Sequence, residues 1–194
     1  MQSFNCNAIG VTGADGNLIP AKKREVVQKA SPYWGALEGA IDYGFVGDVK
    51  SDKINAQSWS SLLDHGFVPV VAPITHDGNG QLLNTNADTI AQEVAKAMSS
   101  LYDVSLIYTF EKAGVLLDVN DDTSVIKNIT PAYYEELKSP LPGGGRAKIF
   151  AGMIPKLDNA FAALNSGVKQ VIIGKAEELS RLIDQSSGTT ISNE

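Results

Sequence analysis

Along the chain, short apolar runs of strand length alternate with stretches whose apolar positions recur at helical spacing. Residues 7–12 are mostly apolar and end in Gly13-Ala14-Asp15-Gly16, which predicts a strand and then a turn. Residues 20–40, with Lys22, Lys23, Arg24, Pro32 and Gly35, show weak periodicity and read as a mobile or irregular connection. Tyr43-Gly44-Phe45-Val46-Gly47-Asp48-Val49 alternates as a strand does, with glycines where another backbone can approach closely. Trp59, Leu62 and Leu63 give residues 55–65 a helical stripe, and Gly66 stops it. Residues 67–74 form an apolar run of strand length expected to be buried on both faces, with Pro69 and Pro73 towards its ends. Asp77-Gly78-Asn79-Gly80 predicts a tight hairpin turn.

The second half repeats the rhythm. Ile90, Val94, Ala97 and Met98 form the stripe of a helix over residues 88–101, and a buried strand follows at 104–110. A short strand is expected at 114–119, ahead of an acidic turn. Thr130-Pro131 supplies a helix cap and a first-turn proline for a helix reaching Lys138. A Pro/Gly-rich loop at 140–145 precedes a helix from Pro155 to Asn165, striped by Leu157, Phe161 and Leu164 and stopped by Gly167. A strand at 170–174, a helix at 176–185 and a strand at 188–192 complete the chain. Strands alternating with helices predict an α/β class with a largely parallel sheet and right-handed crossovers. No repeat or linker interrupts the 194 residues, so they read as a single domain.

Composition narrows the function. The formal charge is −6 and the pI about 4.9, which speaks against nucleic acid, whose phosphates call for clustered Lys and Arg. Cys6 is the single cysteine, so no intrachain disulfide forms. No apolar run is long enough to span a membrane and no signal peptide is evident, so a cytoplasmic location is expected. His65 and His76 have no Cys, His or Glu at ligand spacing, which argues against zinc.

Two segments look built around an anion. Asn84-Thr85-Asn86-Ala87-Asp88 opens a helix after a strand and hairpin, where unpaired N–H groups and the helix dipole favour negative charge. Asn84 or Asn86 can donate an amide N–H to a carboxylate. The same residues also serve as ordinary capping chemistry, with Thr85 or Asn86 as the cap and Asp88 satisfying the dipole. Gly152-Met153-Ile154-Pro155-Lys156 places a lysine in the first turn of the next helix, where a cation opposes the dipole. Such a lysine either reaches an anion or is a solvated surface group. Gly143-Gly144-Gly145-Arg146 lacks the preceding strand and the spaced lysine of a phosphate loop and reads as a flexible loop. Asp118, Asn120 and Asp122 alternate as calcium ligands do, but Thr123 and Ile129 stand where that loop needs glycine and glutamate, so an acidic turn is expected.

These segments resemble the N-acetylglutamate kinases of the amino-acid kinase superfamily. The matching stretches are Gly10-Val11-Thr12-Gly13-Ala14-Asp15, Gly44-Phe45-Val46-Gly47-Asp48-Val49, residues 68–73 and 84–88, Gly114-Val115-Leu116, residues 152–156 and Gly188-Thr189, in matching order and spacing. The resemblance covers roughly residues 7–191, the C-terminal two-thirds of that family, and implies a three-layer α/β sandwich with a mostly parallel central sheet. It implies transfer of the γ-phosphoryl group of ATP, with Mg²⁺, to the γ-carboxylate of N-acetyl-L-glutamate in arginine biosynthesis. N-succinylglutamate is an alternative substrate, and a nucleotide-binding fragment without catalysis is an alternative role.

By the same resemblance, Asn84, with Asn86 beside it, binds the substrate's carboxylate region. Asp88 organises the catalytic lysines, and Lys156 sits on the nucleotide phosphates. Residues 109–116, including Thr109 and Gly114, hold the nucleotide together with Gly152 and Met153 ahead of Lys156. Mg²⁺ is held by phosphates and water, and the protein is a homodimer. Phe110-Glu111-Lys112-Ala113 stands where the family usually carries a serine or threonine and an aspartate. The family's Lys-x-Gly-Gly loop, second glycine-rich loop and substrate-binding arginine do not occur in this sequence, so the expectation is a domain lacking its N-terminal part and nearly inactive alone.

Overall fold

The computed structural model describes residues 1–30, 37–139, 149 and 151–194. The chain divides into two compact units, Met1–Ala97 and Met98–Glu194.

The first unit carries, in chain order, β1 (Ala8–Val11), β2 (Ala21–Lys23), β3 (Val27–Ala30), β4 (Leu37–Ile41), β5 (Gly47–Val49), α1 (Ala56–Asp64), β6 (Val68–Val71), β7 (Ile74–His76), β8 (Leu82–Asn84) and α2 (Ala87–Met98), whose last residue falls in the second unit. β1 and β6 run parallel, with Ala8 opposite Val68 and Val11 opposite Val71. α1 starts where Asn55 accepts a hydrogen bond from the Ser58 N–H at 3.2 Å. It buries Trp59, whose indole N–H reaches the Leu18 carbonyl at 3.4 Å. β7 and β8 form the expected hairpin, closed by the Asp77 carboxylate accepting the N–H groups of Asn79 and Gln81.

Two expectations in this unit need correction. The segment read as an irregular connection is extended: β2 pairs antiparallel with β5, and β3 with β4. Three- to five-residue strands leave too few positions for a periodicity to register, and the partner of β2 lies far along the chain. Residues 31–36 of that segment lie outside the described residues. The run at 67–74 is also split into β6 and β7 around Pro73, and Val68 and Val70 are each 45% exposed, so β6 is not buried on both faces.

The second unit carries β9 (Ser105–Phe110), β10 (Asn128–Ile129), α3 (Pro131–Lys138), α4 (Ile154–Leu164), β11 (Gln170–Lys175), α5 (Leu179–Ile183) and β12 (Thr189–Ile191). Its sheet has the order β10-β12-β11-β9. The outer pairs β10/β12 and β11/β9 are parallel and the central pair β11/β12 is antiparallel. Val171, Ile172 and Ile173 are successive and all buried, which requires cover on both faces, and α4 and α5 pack on β11. The fold is therefore mixed α/β, with parallel ladders accompanied by antiparallel pairs.

α3 is capped as expected: the Thr130 hydroxyl accepts from the Tyr133 N–H, and Pro131 occupies the first turn. The strand expected at 114–119 does not form; Leu116 makes an isolated bridge to Val125 instead. The acidic turn beyond it closes on itself, because Asp118 and Asp121 accept hydrogen bonds from the N–H groups of Asn120 and Thr123. The Pro/Gly-rich loop and the glycine run before Arg146 lie outside the described residues.

Candidate functional site

In the first unit, the segment around Asn84 hangs on a buried threonine pair. The Oγ1 atoms of Thr75 and Thr85 are 2.8 Å apart, and Thr85 also donates to the Gly47 carbonyl at 3.1 Å. Both threonines are at most 3% exposed. A Cβ on Gly47 would come within 2.8 Å of both hydroxyls, so only glycine lets β5 lie this close. The Thr85 N–H donates to Pro73 O at 3.0 Å, and the Asn84 N–H to Phe45 O at 2.7 Å. Thr85 is thus the buried support of the segment, and Asn84 at the end of β8 is exposed.

Asn86 is the helix cap: its Oδ1 accepts from the Thr89 N–H at 3.1 Å, and its carbonyl accepts from the Ile90 N–H at 3.0 Å. Capping occupies one side of the Asn86 amide. Its NH₂, the donor that a carboxylate needs, is chemically distinct from the capping oxygen. Asp88 follows in the first turn of α2, exposed, where the dipole favours its charge.

In the second unit, Lys156 stands in the first turn of α4, directly after Pro155. It is half-buried, and its Nζ lies 5.4 Å from the centroid of the Phe110 ring. Phe110 is the last residue of β9 and pairs with Lys175, the last of β11, so Lys156 reaches the carboxyl edge of a parallel strand pair. Open α/β sheets place their ligands at such edges.

Tyr134 steadies the start of α4. Its hydroxyl donates to Asp158 Oδ1 at 2.8 Å and lies 3.1 Å from Ile154 O, and its ring stacks on Phe161 at 5.1 Å. Burial first, then this bond to a carboxylate, pushes the Tyr134 hydroxyl above its ordinary range. Met153 is buried at the entry to α4, Gly152 is exposed, and Thr109 is exposed one residue before the end of β9.

Gly114 is buried beneath Thr189. The Thr189 hydroxyl accepts from the Val115 N–H at 2.8 Å and donates to Ile126 O at 2.6 Å. A Cβ on Gly114 would sit 2.6 Å from that oxygen. This packing alone calls for glycine.

The structure thus groups Asn84, Asn86 and Asp88 at the opening of α2, and Thr109, Met153 and Lys156 around the β9 edge and the opening of α4. Sequence reasoning missed Thr75, Thr85, Phe110, Tyr134 and Thr189 as supports, because each acts through a partner distant in sequence. It also missed a cleft of about 770 Å³ in the first unit, lined by Lys22, Lys23, Arg24, Asp48, Lys50 and Lys53, where Arg24 forks onto the Asp48 carboxylate. None of the expected site residues lines that cleft. Among the described residues no cluster of three His, Cys, Asp or Glu side chains could hold a metal ion, and no helix is long and apolar enough to cross a membrane.

Comparison with known proteins assigns the fold to a family. Residues 1–175 match the model of the amino acid kinase family. The chain is 51% identical over 185 residues to the acetylglutamate kinase of Cytophaga hutchinsonii, covering 95% of this chain and 63% of that protein. It therefore spans less than two thirds of that relative's length. Among solved structures, smu.665 from Streptococcus mutans UA159 aligns with a TM-score of 0.66 at 26% identity, over 100% of this chain and 64% of that one. The carbamate kinase of Giardia aligns with a TM-score of 0.60 at 13% identity, over 100% and 64% of the two chains, a likeness of fold alone. With the match running through both units, this chain belongs to the amino acid kinase family.

Proposed function

We propose that the chain serves an ATP-dependent carboxylate kinase that phosphorylates the γ-carboxylate of N-acetyl-L-glutamate, a step of arginine biosynthesis. The observation that carries this reading is the 51% identity to an acetylglutamate kinase across 95% of the chain. The placement of the candidate side chains is in keeping with it.

Phosphoryl transfer asks a protein for positioning and for charge neutralisation rather than covalent help. Lys156 offers an ammonium to the nucleotide phosphates at a strand edge. Thr109, Gly114, Gly152 and Met153 belong to the segments that flank the nucleotide. Asn84 and the NH₂ of Asn86 offer donors to the acylated amino acid, and Asp88 is the catalytic carboxylate of the same helix opening. Mg²⁺ would be held by phosphate oxygens and water rather than by a cage of protein carboxylates. We place the protein in the cytoplasm as a homodimer. Turnover by the 194 residues alone is expected to be small, since the family's two glycine-rich loops and arginine do not occur in them.

The test joins these residues to the part of the Cytophaga relative that they do not match. ATP, Mg²⁺ and N-acetylglutamate are supplied, with N-succinylglutamate in a parallel reaction, and the acyl phosphate is trapped with hydroxylamine. Hydroxamate should form from the N-acetyl substrate, and Lys156→Ala should cut kcat by about 10²- to 10³-fold, the usual cost of removing one donor to a developing charge. No hydroxamate from either substrate, or a Lys156→Ala variant of normal kcat, overturns the reading. Hydroxamate from the N-succinyl substrate alone overturns the assigned acyl group.

A further inference from the structure

We propose that the cleft over the β2/β5 pair is a second anion site, which binds a small phosphate ester through the ammonium groups of Lys22, Lys50 and Lys53.

Strand pairing builds this site. β2 and β5 are antiparallel, with Lys22 opposite Asp48. Side chains alternate along a strand and register partners share a face, so Lys22 and Arg24 lie on one face with Asp48 and Lys50. The opposite face carries Ala21 and the buried Val49. Lys23 belongs to that face too, with its Nζ 5.0 Å from the centroid of the Phe45 ring. Lys53 joins the cleft from the short helical turn that follows Lys50. The volume of about 770 Å³ is that of a small-molecule site, and Pro20 and Val27 give it an apolar part.

Its charge runs against that of the molecule. Five Lys or Arg residues line the cleft against the carboxylates of Glu25 and Asp48, in a chain of formal charge −6. A basic concavity on an acidic protein concentrates its field on incoming anions. The five cations are not equally available. Arg24 is committed, because its Nε lies 3.0 and 3.2 Å from the two oxygens of Asp48. Lys22 pairs with Glu25, both side chains being 78% exposed, and Lys53 stands 3.7 Å from Asp52. Exposed pairs of this kind are weak, so a multiply charged ligand displaces them at small cost. Lys50 is exposed and makes no ion pair among the described residues.

This set of groups selects the ligand. The guanidinium fork that matches a planar carboxylate is already taken, which leaves ammonium groups acting as point charges. A phosphate monoester brings three acceptor oxygens and close to two charges, and so engages several ammonium groups at once. Its organic body lies on the apolar residues. Neither Lys156 nor any other expected site residue lines the cleft, so binding there is independent of the kinase reading.

The test titrates the full 194-residue chain with phenyl phosphate, methyl phosphate and benzoate, following backbone amide resonances for location and calorimetry for Kd. Phenyl phosphate should saturate one site, with shifts centred on residues 20–25 and 48–53, and should bind more tightly than either of the others. Lys50→Ala and Lys50→Gln should each weaken it about tenfold, the cost of one charge-assisted bond. Glu25→Gln, which frees Lys22, should tighten it about twofold. Lys156→Ala should leave these shifts unchanged. All of these side chains lie at least partly open to water, and thermal unfolding confirms that each variant folds.

No saturable binding of phenyl phosphate at these residues overturns the proposal, as does an unchanged Kd in both Lys50 variants. Shifts at residues 20–25 that vanish in Lys156→Ala overturn the independence of the two sites. Methyl phosphate binding as tightly as phenyl phosphate overturns the organic body and leaves a site for the bare phosphate group. Benzoate binding as tightly overturns the choice of phosphate.

Discussion

Gly114 illustrates how much one hydrogen in place of a methyl decides. Thr189 against it is fully buried and held by its bonds to Val115 and Ile126, so its hydroxyl cannot move aside for a Cβ arriving at 2.6 Å. Gly114→Ala should therefore destabilise the chain by about 1–3 kcal/mol, the usual cost of overpacking. Thr189→Ala should also destabilise, because it leaves Val115 N–H and Ile126 O without their partner. The double variant should lose less than the sum, since the second change removes the clash created by the first. A double-mutant cycle by denaturant unfolding measures this coupling, and strict additivity would count against the contact. The motif Gly114-Val115-Leu116 is legible in the sequence, but its reason is not, because Thr189 comes to it only through the sheet.

At the scale of elements, local signals served well wherever the stabilising group lies within one turn. Asn55, Asn86 and Thr130 each cap the helix that follows, and Pro131 and Pro155 sit where a missing N–H costs nothing. Asn86→Ala should cost about 1 kcal/mol of stability through the lost cap. Asn86→Asp keeps the capping oxygen and should retain that stability while removing the NH₂ donor. Unfolding of both variants alongside substrate affinity separates the capping role from the proposed binding role. A weakened affinity in Asn86→Asp at unchanged stability supports binding through the NH₂, and equal affinity argues against it.

Signals failed where the partner is remote. β2 to β4 were invisible because their pairing, rather than their pattern, makes them strands. The expected strand at 114–119 failed for the complementary reason: its apolar residues are consumed by contacts with residues 124–126 and Thr189, not by a ladder.

For the whole molecule, the acid limb of stability follows from carboxylates held by hydrogen bonds. Thr12 holds Asp15, Asn79 holds Asp77 and Thr123 holds Asp121, each below its ordinary value of 3.8. A carboxyl whose folded value is depressed contributes fully above its unfolded value and loses that contribution as pH falls through the folded one. Thermal unfolding followed downward in pH should therefore show these contributions intact above about pH 5 and declining below pH 3.8. Asp15→Asn should flatten part of that decline. Asp15 and Asp121 are exposed and Asp77 is only half-buried, so each effect is small.

Taken alone, the sequence determined the α/β class, most helices and their caps, and the motifs of the α2 and α4 openings, because these rest on periodicity and on groups within a few residues of one another. The tertiary structure alone decided that Thr75 and Thr85 carry the Asn84 segment, that Thr189 demands Gly114, and that Phe110 faces Lys156. Each of those contacts joins positions far apart along the chain. Such a contact exists only once hydrogen-bonded strands and packed helices bring its halves within bonding distance, and no local pattern encodes which halves will meet.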